Sequence, residues 1–300
     1  MDAAKERVER HKQGLLLALA SVLIWSTVAT AFKLSLRYLP PPHLLLYASV
    51  VSTFILGGIL LFQGKLAILR ATPGRELRLS LLLGALNPCL YYLILFRAFE
   101  LLPAQEAQPL NYTWAITLTL LSIPILKQRP TAGELIAILV GYAGVVVIAT
   151  RGDLAGLHFS SPTGVALALG STVIWSLYWL YSARDQRDPV VALFLNFLCG
   201  SALVLFYCLL FAPLTLPPVA GLLGALYIGT FEMGITYVLW LAALQRARSA
   251  AQISNLIFLS PFLSLLFIHL LVGEEIYPST YAGLGLIIAG LLLRNCPWRR

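Results

Sequence analysis

The sequence predicts an all-α integral membrane protein with ten transmembrane helices in two five-helix inverted repeats. Three observations carry this: a composition too apolar for a soluble domain, ten apolar runs of spanning length, and a segment that recurs in both halves. Of the 300 residues, 59% are hydrophobic and 11% charged, and the mean hydropathy is +0.84. A soluble domain carries about 25% charged residues, so this chain cannot cover a soluble globule with polar surface.

The net charge of +8 does not indicate a nucleic-acid partner. Its Lys and Arg sit in short clusters between apolar runs, where the positive-inside rule expects them, not interleaved with aromatics on a polar chain. Cys89, Cys199 and Cys208 lie inside apolar runs, and with Cys296 they form no C-x-x-C pair. Neither a disulfide framework nor a metal site is expected.

A spanning helix needs about 20 mostly apolar residues. Ten runs qualify, at 14–36, 43–63, 77–98, 104–126, 132–150, 162–182, 190–211, 219–244, 249–272 and 279–295. Their short connections carry proline, glycine or charge, as in Pro40-Pro41-Pro42 and Arg187-Asp188-Pro189. The basic start and Ala29-Thr30-Ala31 have the look of a signal peptide. The acidic Asp2, Glu6 and Glu9, and a run long enough to span, argue for a retained first helix. Residues 1–13 are then a cytoplasmic N-terminus, 14–151 the first repeat and 162–295 the second. Of the 21 Lys and Arg, 17 fall in one alternating set of loops. Arg37, Arg97 and Arg151 fall in the other, and Lys33 lies near a span end. That asymmetry predicts cytoplasmic termini.

The repeat is visible directly. Leu17 to Ser26 matches Leu167 to Ser176 at seven of ten positions, an offset of 150. Leu82-Leu-Gly-Ala-Leu86 matches Leu222-Leu-Gly-Ala-Leu226, and Ala143-Gly144 matches Ala289-Gly290. Five spans per half mean that the halves enter the membrane from opposite sides. Such inverted repeats underlie alternating access in secondary transporters.

Residue by residue, several positions are candidates for a substrate site. Trp25 and Trp175 lie mid-span, away from the usual interfacial belts; they either pack the interface between halves or wall a cavity. Trp175, Tyr178, Trp179 and Ser182 share one helical face, suited to stacking or to cation–π contact with an amine; the same face also suits the headgroup boundary. Asn87 and Tyr91 share a face beside Pro88. Pro109 precedes Asn111, and Pro261 follows Asn255 and Ser260. A proline in a span frees a carbonyl, and such breaks lie beside cavities, hinges or ordinary kinks. Tyr112 and Trp114 are about 200° apart on a regular helix, so both face one cavity only if the helix is distorted. Glu232, mid-span with Thr236 on its stripe, is costly there and a functional candidate by default, as an amine ligand, a proton carrier or a hydrogen-bonded packing residue. His269 and Glu106, nearer span ends, read as structural.

The Ile-Trp-Ser triplets at 24–26 and 174–176, the stretch from Asn255 to Pro261, Gly273-Glu274-Glu275, Gly283 and Ala289-Gly290 together resemble the drug/metabolite transporter superfamily, specifically its EamA-type members. The first half departs from the pattern, with Gln128 where Glu is typical and Ala115 where Pro is typical. Tyr91-Tyr92 and the stretch from Asn111 to Trp114 are similar to YddG-type aromatic amino-acid exporters. The resemblance implies a bacterial inner-membrane exporter of aromatic and other neutral amino acids. Organic cations and drugs are the alternative cargo.

The substrate site expected from these readings comprises Trp25, Asn87, Tyr91, Tyr112, Trp114, Trp175, Tyr178, Glu232, Thr236, Asn255 and Ser260, with hinges at Pro88, Pro109 and Pro261. No cofactor or metal ligand set is expected. There is no G-x-x-x-x-G-K-[ST] loop for ATP. An intramembrane lipid-modifying enzyme would need paired acids or a nucleophile beside Glu232, and a channel would need a carbonyl filter or charged rings.

Overall fold

The computed structural model describes residues 2–126, 132–156, 160–182, 184–213, 216–246, 256–257 and 259–294, and among these there is no strand. The helices are α1 (Asp2–Ser35), α2 (Pro41–Phe62), α3 (Leu66–Arg70), α4 (Gly74–Gly84), α5 (Tyr91–Leu101), α6 (Ala104–Tyr112), α7 (Trp114–Leu126), α8 (Ala132–Ala149), α9 (Pro162–Ser182), α10 (Pro189–Phe211), α11 (Val219–Tyr227), α12 (Thr236–Arg246), α13 (Leu259–Phe267) and α14 (Pro278–Arg294). Three wider-turned segments, Ala85–Leu90, Ile228–Ile235 and Ile268–Val272, interrupt or extend them.

Proline sets half of the starts. It occupies the first helical position of α2, α9, α10 and α14, and the capping position of α4, α6 and α11. There it lacks an N–H that would go unbonded anyway, and its fixed φ suits the first turn. α10 adds a side-chain cap: Asp188 Oδ1 accepts from the backbone N–H of Val190 at 3.0 Å and of Val191 at 3.2 Å.

Among the described residues, six helical stretches are long and apolar enough to cross a bilayer: Glu9–Ser35, Pro41–Phe62, Gly74–Leu101, Pro162–Ser182, Pro189–Phe211 and Val219–Trp240. Leu135–Ala149, Leu259–Val272 and Pro278–Leu293 are shorter apolar helices. The run at 104–126 is two helices, α6 and α7, parted at Thr113. Residues 249–255 of the ninth expected run lie outside the described residues. Large apolar side chains face outward, among them Phe54, Leu139, Phe206 and Leu270. That surface is costly in water and at home in lipid.

α1 packs on α12 and α13, α2 on α10 and on Ile228–Ile235, α5 on α9, and α8 on α14. Lipid gives no hydrophobic drive between helices, so small residues that allow close backbone approach matter most. A Cβ on Gly200 of α10 would stand 2.5 Å from Pro88 Cδ and 2.8 Å from the Gly84 carbonyl. At the α8–α14 contact, Gly144 abuts Gly283 and Ile287, while Gly290 abuts Ala137 and Gly141.

Two predictions follow from this packing. Gly200→Ala is expected to lower the apparent Tm of the detergent-solubilised protein, since overpacking costs about 1–3 kcal/mol. Gly58→Ala, where an added Cβ meets nothing within 4 Å, should leave it unchanged. Equal melting of the two variants would contradict the close-approach account. The second concerns Asp188, which also pairs with Lys65 at 2.7 Å. Burial works to raise its carboxyl, but Lys65 and the two capped N–H groups outweigh that and hold it below the usual carboxylate range. A lowered pKa contributes stability that is complete above the ordinary value and is lost as pH falls through the lowered one. Asp188→Ala should therefore cost about 1 kcal/mol near neutrality, a difference that closes in melts below about pH 4.

Candidate functional site

The break in the third apolar run places the first polar group. At Asn87 the backbone leaves the helix (φ −143°, ψ 118°), the Asn87–Pro88 peptide is cis, and Asn87 is fully buried. Downstream, α5 directs Tyr91 and Tyr92 into the bundle. Across from them, the wider turns of Ile228–Ile235 carry Glu232, and α12 continues with Thr236, Tyr237 and Trp240.

These elements meet in a polar chain walled by rings. The Tyr92 hydroxyl donates to Glu232 Oε1 at 2.9 Å and lies 3.4 Å from the Tyr237 hydroxyl. Asn87 Nδ2 donates to the Tyr237 hydroxyl at 3.5 Å. The Tyr91 hydroxyl donates to Asn111 Oδ1 at 3.3 Å, and Asn111 Nδ2 to Ser171 Oγ at 3.1 Å. Tyr91 stacks on Trp175 with centroids 4.5 Å apart, and Trp175 on Tyr178 at 5.7 Å. Trp25 stands edge-on to Tyr237 at 6.5 Å and against Trp240 at 5.2 Å, with its indole beside Glu232. Glu232 is only 8% exposed, and its Oε2 has no hydrogen-bond partner among the described residues; nor has Asn87 Oδ1.

The cluster joins Trp25, Asn87, Tyr91, Trp175, Tyr178 and Glu232 from the sequence-derived set. Tyr178 adds a hydroxyl beside Asn87, Asn196 and Ser182. Tyr112 lies at the end of α6 with its hydroxyl toward Ser260, which is 3.5 Å from Ser26 Oγ, so both sit on the α1–α13 side. The helix distortion needed to orient Tyr112 and Trp114 independently is present at Thr113. Trp114 meets α9 through its carbonyl, which accepts from Ser176 Oγ at 3.1 Å. Thr236 is fully buried, and its hydroxyl donates to the Phe231 carbonyl within the wide-turned segment. Asn255 lies outside the described residues. Of the expected hinges, Pro88 occupies the α4–α5 break and Pro109 lies inside α6. Pro261 falls in the first turn of α13, where a missing N–H interrupts nothing.

The expected set leaves out Tyr92, Asn111, Ser171 and Tyr237, although Asn111 and the Tyr91-Tyr92 pair are singled out in the sequence. The repeat held a signal for one of them. The offset of 140 between the segments beginning Leu82 and Leu222 pairs Tyr92 with Glu232. That pair is hydrogen-bonded.

One end of the bundle is closed by a second polar network. Glu274 accepts from the backbone N–H of Ala104 at 2.9 Å and of Gln105 at 3.1 Å, at the start of α6. The Gln105 side chain donates to the Glu275 carbonyl at 2.7 Å and accepts from Tyr277 N at 2.8 Å. Lys33 donates to the carbonyls of Phe99 at 2.8 Å and Leu102 at 2.6 Å. Glu106, fully buried, pairs with Arg151 at 2.8 Å and with Ser160. Among the described residues, no group of three or more His, Cys, Asp or Glu is arranged to hold a metal.

Comparison with known proteins gives this geometry a context. The sequence model of the EamA-like transporter family matches residues 12–150 and again residues 162–296. An uncharacterized transporter YvbV of Bacillus subtilis is 27% identical over 97% of this chain and 93% of its own length. The aromatic amino acid exporter YddG of Ancylobacter novellus is 28% identical over 86% of this chain and 88% of its own. A solved crystal structure aligns with a TM-score of 0.67 at 24% identity, covering 95% of this chain and 97% of that one, which shows a shared fold.

A buried carboxylate with one unpartnered oxygen costs stability unless function retains it. Glu232→Gln, which keeps a carbonyl acceptor for Tyr92, is therefore expected to match or exceed the wild-type apparent Tm. A melting point several degrees lower would make Glu232 a structural residue.

Proposed function

The chain belongs to the EamA-like transporter family, and from that premise we propose that it is a secondary transporter that exports aromatic and other neutral amino acids across a bacterial inner membrane by alternating access. The observation that carries the cargo reading is the Tyr91–Trp175–Tyr178 stack lying one side chain away from Glu232. Aromatic faces next to a carboxylate suit a solute with a ring at one end and an amine at the other. The printed name of the Ancylobacter novellus relative supports the same cargo.

The architecture behind this reading is ten spans in two inverted five-helix units, with both termini cytoplasmic. Support comes from the double match of the family model and from the reciprocal contacts of α8 and α14. Gly144 meets Ile287 as Gly290 meets Gly141, the exchange a two-fold relation produces. The breaks at Ala85–Leu90 and Ile228–Ile235 occupy corresponding places in the two units. Interrupted helices at corresponding places in two halves mark the binding site of many secondary transporters. In this reading the Glu274–Gln105–Lys33 network closes the outer side, and rocking of one unit on the other opens it.

Counterflow in liposomes holding the purified protein tests the proposal, with labelled tryptophan outside and unlabelled tryptophan inside. Saturable accumulation is expected, inhibited by phenylalanine and tyrosine, and reduced about two- to twelvefold by Trp175→Ala, as lost stacking of about 0.5–1.5 kcal/mol implies. Folded protein that moves no aromatic amino acid would remove the reading.

A further inference from the structure

The hydrogen-bonding capacity left open around Glu232 is one-sided. Beside Glu232 the donors are committed: Tyr92 to Glu232 itself, Tyr91 to Asn111, Asn111 Nδ2 to Ser171, and Asn87 Nδ2 to Tyr237. Two buried acceptors are free there, Glu232 Oε2 and Asn87 Oδ1, while two buried donors without a partner, Trp179 Nε1 and Ser182 Oγ, lie on α9 beside Trp175 and Tyr178. A ligand meeting the Glu232 end finds acceptors first.

The charge is one-sided as well. Four described basic side chains are held elsewhere: Lys33 on the carbonyls that end α5, Arg151 on Glu106, Arg187 on Asp185, and Lys65 on Asp188. Among the described residues, no lysine or arginine hydrogen-bonds Glu232 or the rings and amides around it; Arg187 reaches only Asn196, at 3.5 Å, beside the Tyr178 hydroxyl. An ionised carboxylate among aromatic rings requires a compensating cation or a proton. An ammonium supplies both the positive charge and the missing N–H donors, and the faces of Trp25, Trp175 and Tyr237 favour it further. The carboxylate of a zwitterion would enter the same enclosure with no counter-charge to receive it.

We infer that this site ranks aromatic amines by charge, binding a carboxylate-free monocation more tightly than the zwitterionic amino acid with the same ring. The inference rests on the reading of this cluster as the transport site and narrows its ligand class to aromatic primary amines. Glu232 is the residue that sets the order.

A charge series on one ring tests it. Equilibrium dialysis of labelled tryptamine against the solubilised protein is competed with tryptophanamide, tryptophan and indole-3-propionate, which share the indole and differ in charge. Tryptamine should bind, tryptophanamide should compete at concentrations at least tenfold below tryptophan, and indole-3-propionate should be weakest. In Glu232→Gln, shown to be folded by its melting profile, tryptophanamide and tryptophan should compete within about threefold of each other; the residual affinity is read with labelled tryptophan where tryptamine no longer binds. Tyr92→Phe, which retains the carboxylate, should keep the order. The inference is overturned by equal competition from tryptophan and tryptophanamide in the wild type, by an unchanged series in Glu232→Gln, or by no binding of tryptamine to the wild type. Because dialysis reads binding, the two proposals fail separately. Charge-ordered binding without counterflow sinks the transport reading alone, and tryptophan counterflow without charge order sinks this one alone.

Discussion

A backbone inside a bilayer has no water to bond to, so every N–H and C=O must find its partner within the protein. Long regular helices satisfy this on the lipid-facing side, and the breaks in the third and fourth runs turn inward. Asn87 and Thr113, where the third and fourth runs break, are both fully buried. Hydroxyls take up carbonyls at these places: Thr113 donates to Leu110 O at 2.7 Å, Ser52 to Met233 O at 2.8 Å, and Thr236 to Phe231 O. The site lies where these repairs are made, because a broken helix turns side chains sideways into the bundle that a straight one would spread around its circumference.

The same arrangement couples the cluster to one end of the molecule. α6 is a nine-residue helix, too short to span, and its two ends have different tasks. Its first turn is held by the Glu274 carboxylate, a favourable placement for negative charge at a helix N-terminus. Its last turn carries Asn111 and Tyr112, which bond to α9 and face α13. Displacing Glu274 therefore acts on the same rigid piece that presents Asn111 to Tyr91.

Much of this was legible in the sequence because the bilayer imposes a strong pattern. The six long apolar helices coincide with runs readable from length and hydropathy alone, and proline-bearing connections mark helix starts. Trp25, Trp175 and Glu232 stood out because a mid-span tryptophan or carboxylate has to be explained. The break at Thr113 was not legible: the stretch from Asn111 to Trp114 has no glycine or proline at the turn, and tertiary packing sets the geometry. Tyr92 and Tyr237 were missed because a tyrosine in a span is ordinarily interfacial; the register between the repeated segments distinguishes Tyr92, which it pairs with Glu232, and nothing in the sequence distinguishes Tyr237. Thr236 looked like a ligand by its stripe, yet its hydroxyl is taken up by the backbone of the distorted turn beside it, a distortion that helical periodicity cannot anticipate.

The contact between α8 and α14 has a mechanical consequence. Where glycines let two backbones touch, no side-chain layer remains to act as a lubricant, and a slide of one residue would drive Ile148 or Ile287 into the space that Gly283 and Gly144 leave open. Such a seam does not shear. It is a fixed keel that holds α8 and α14 in one register.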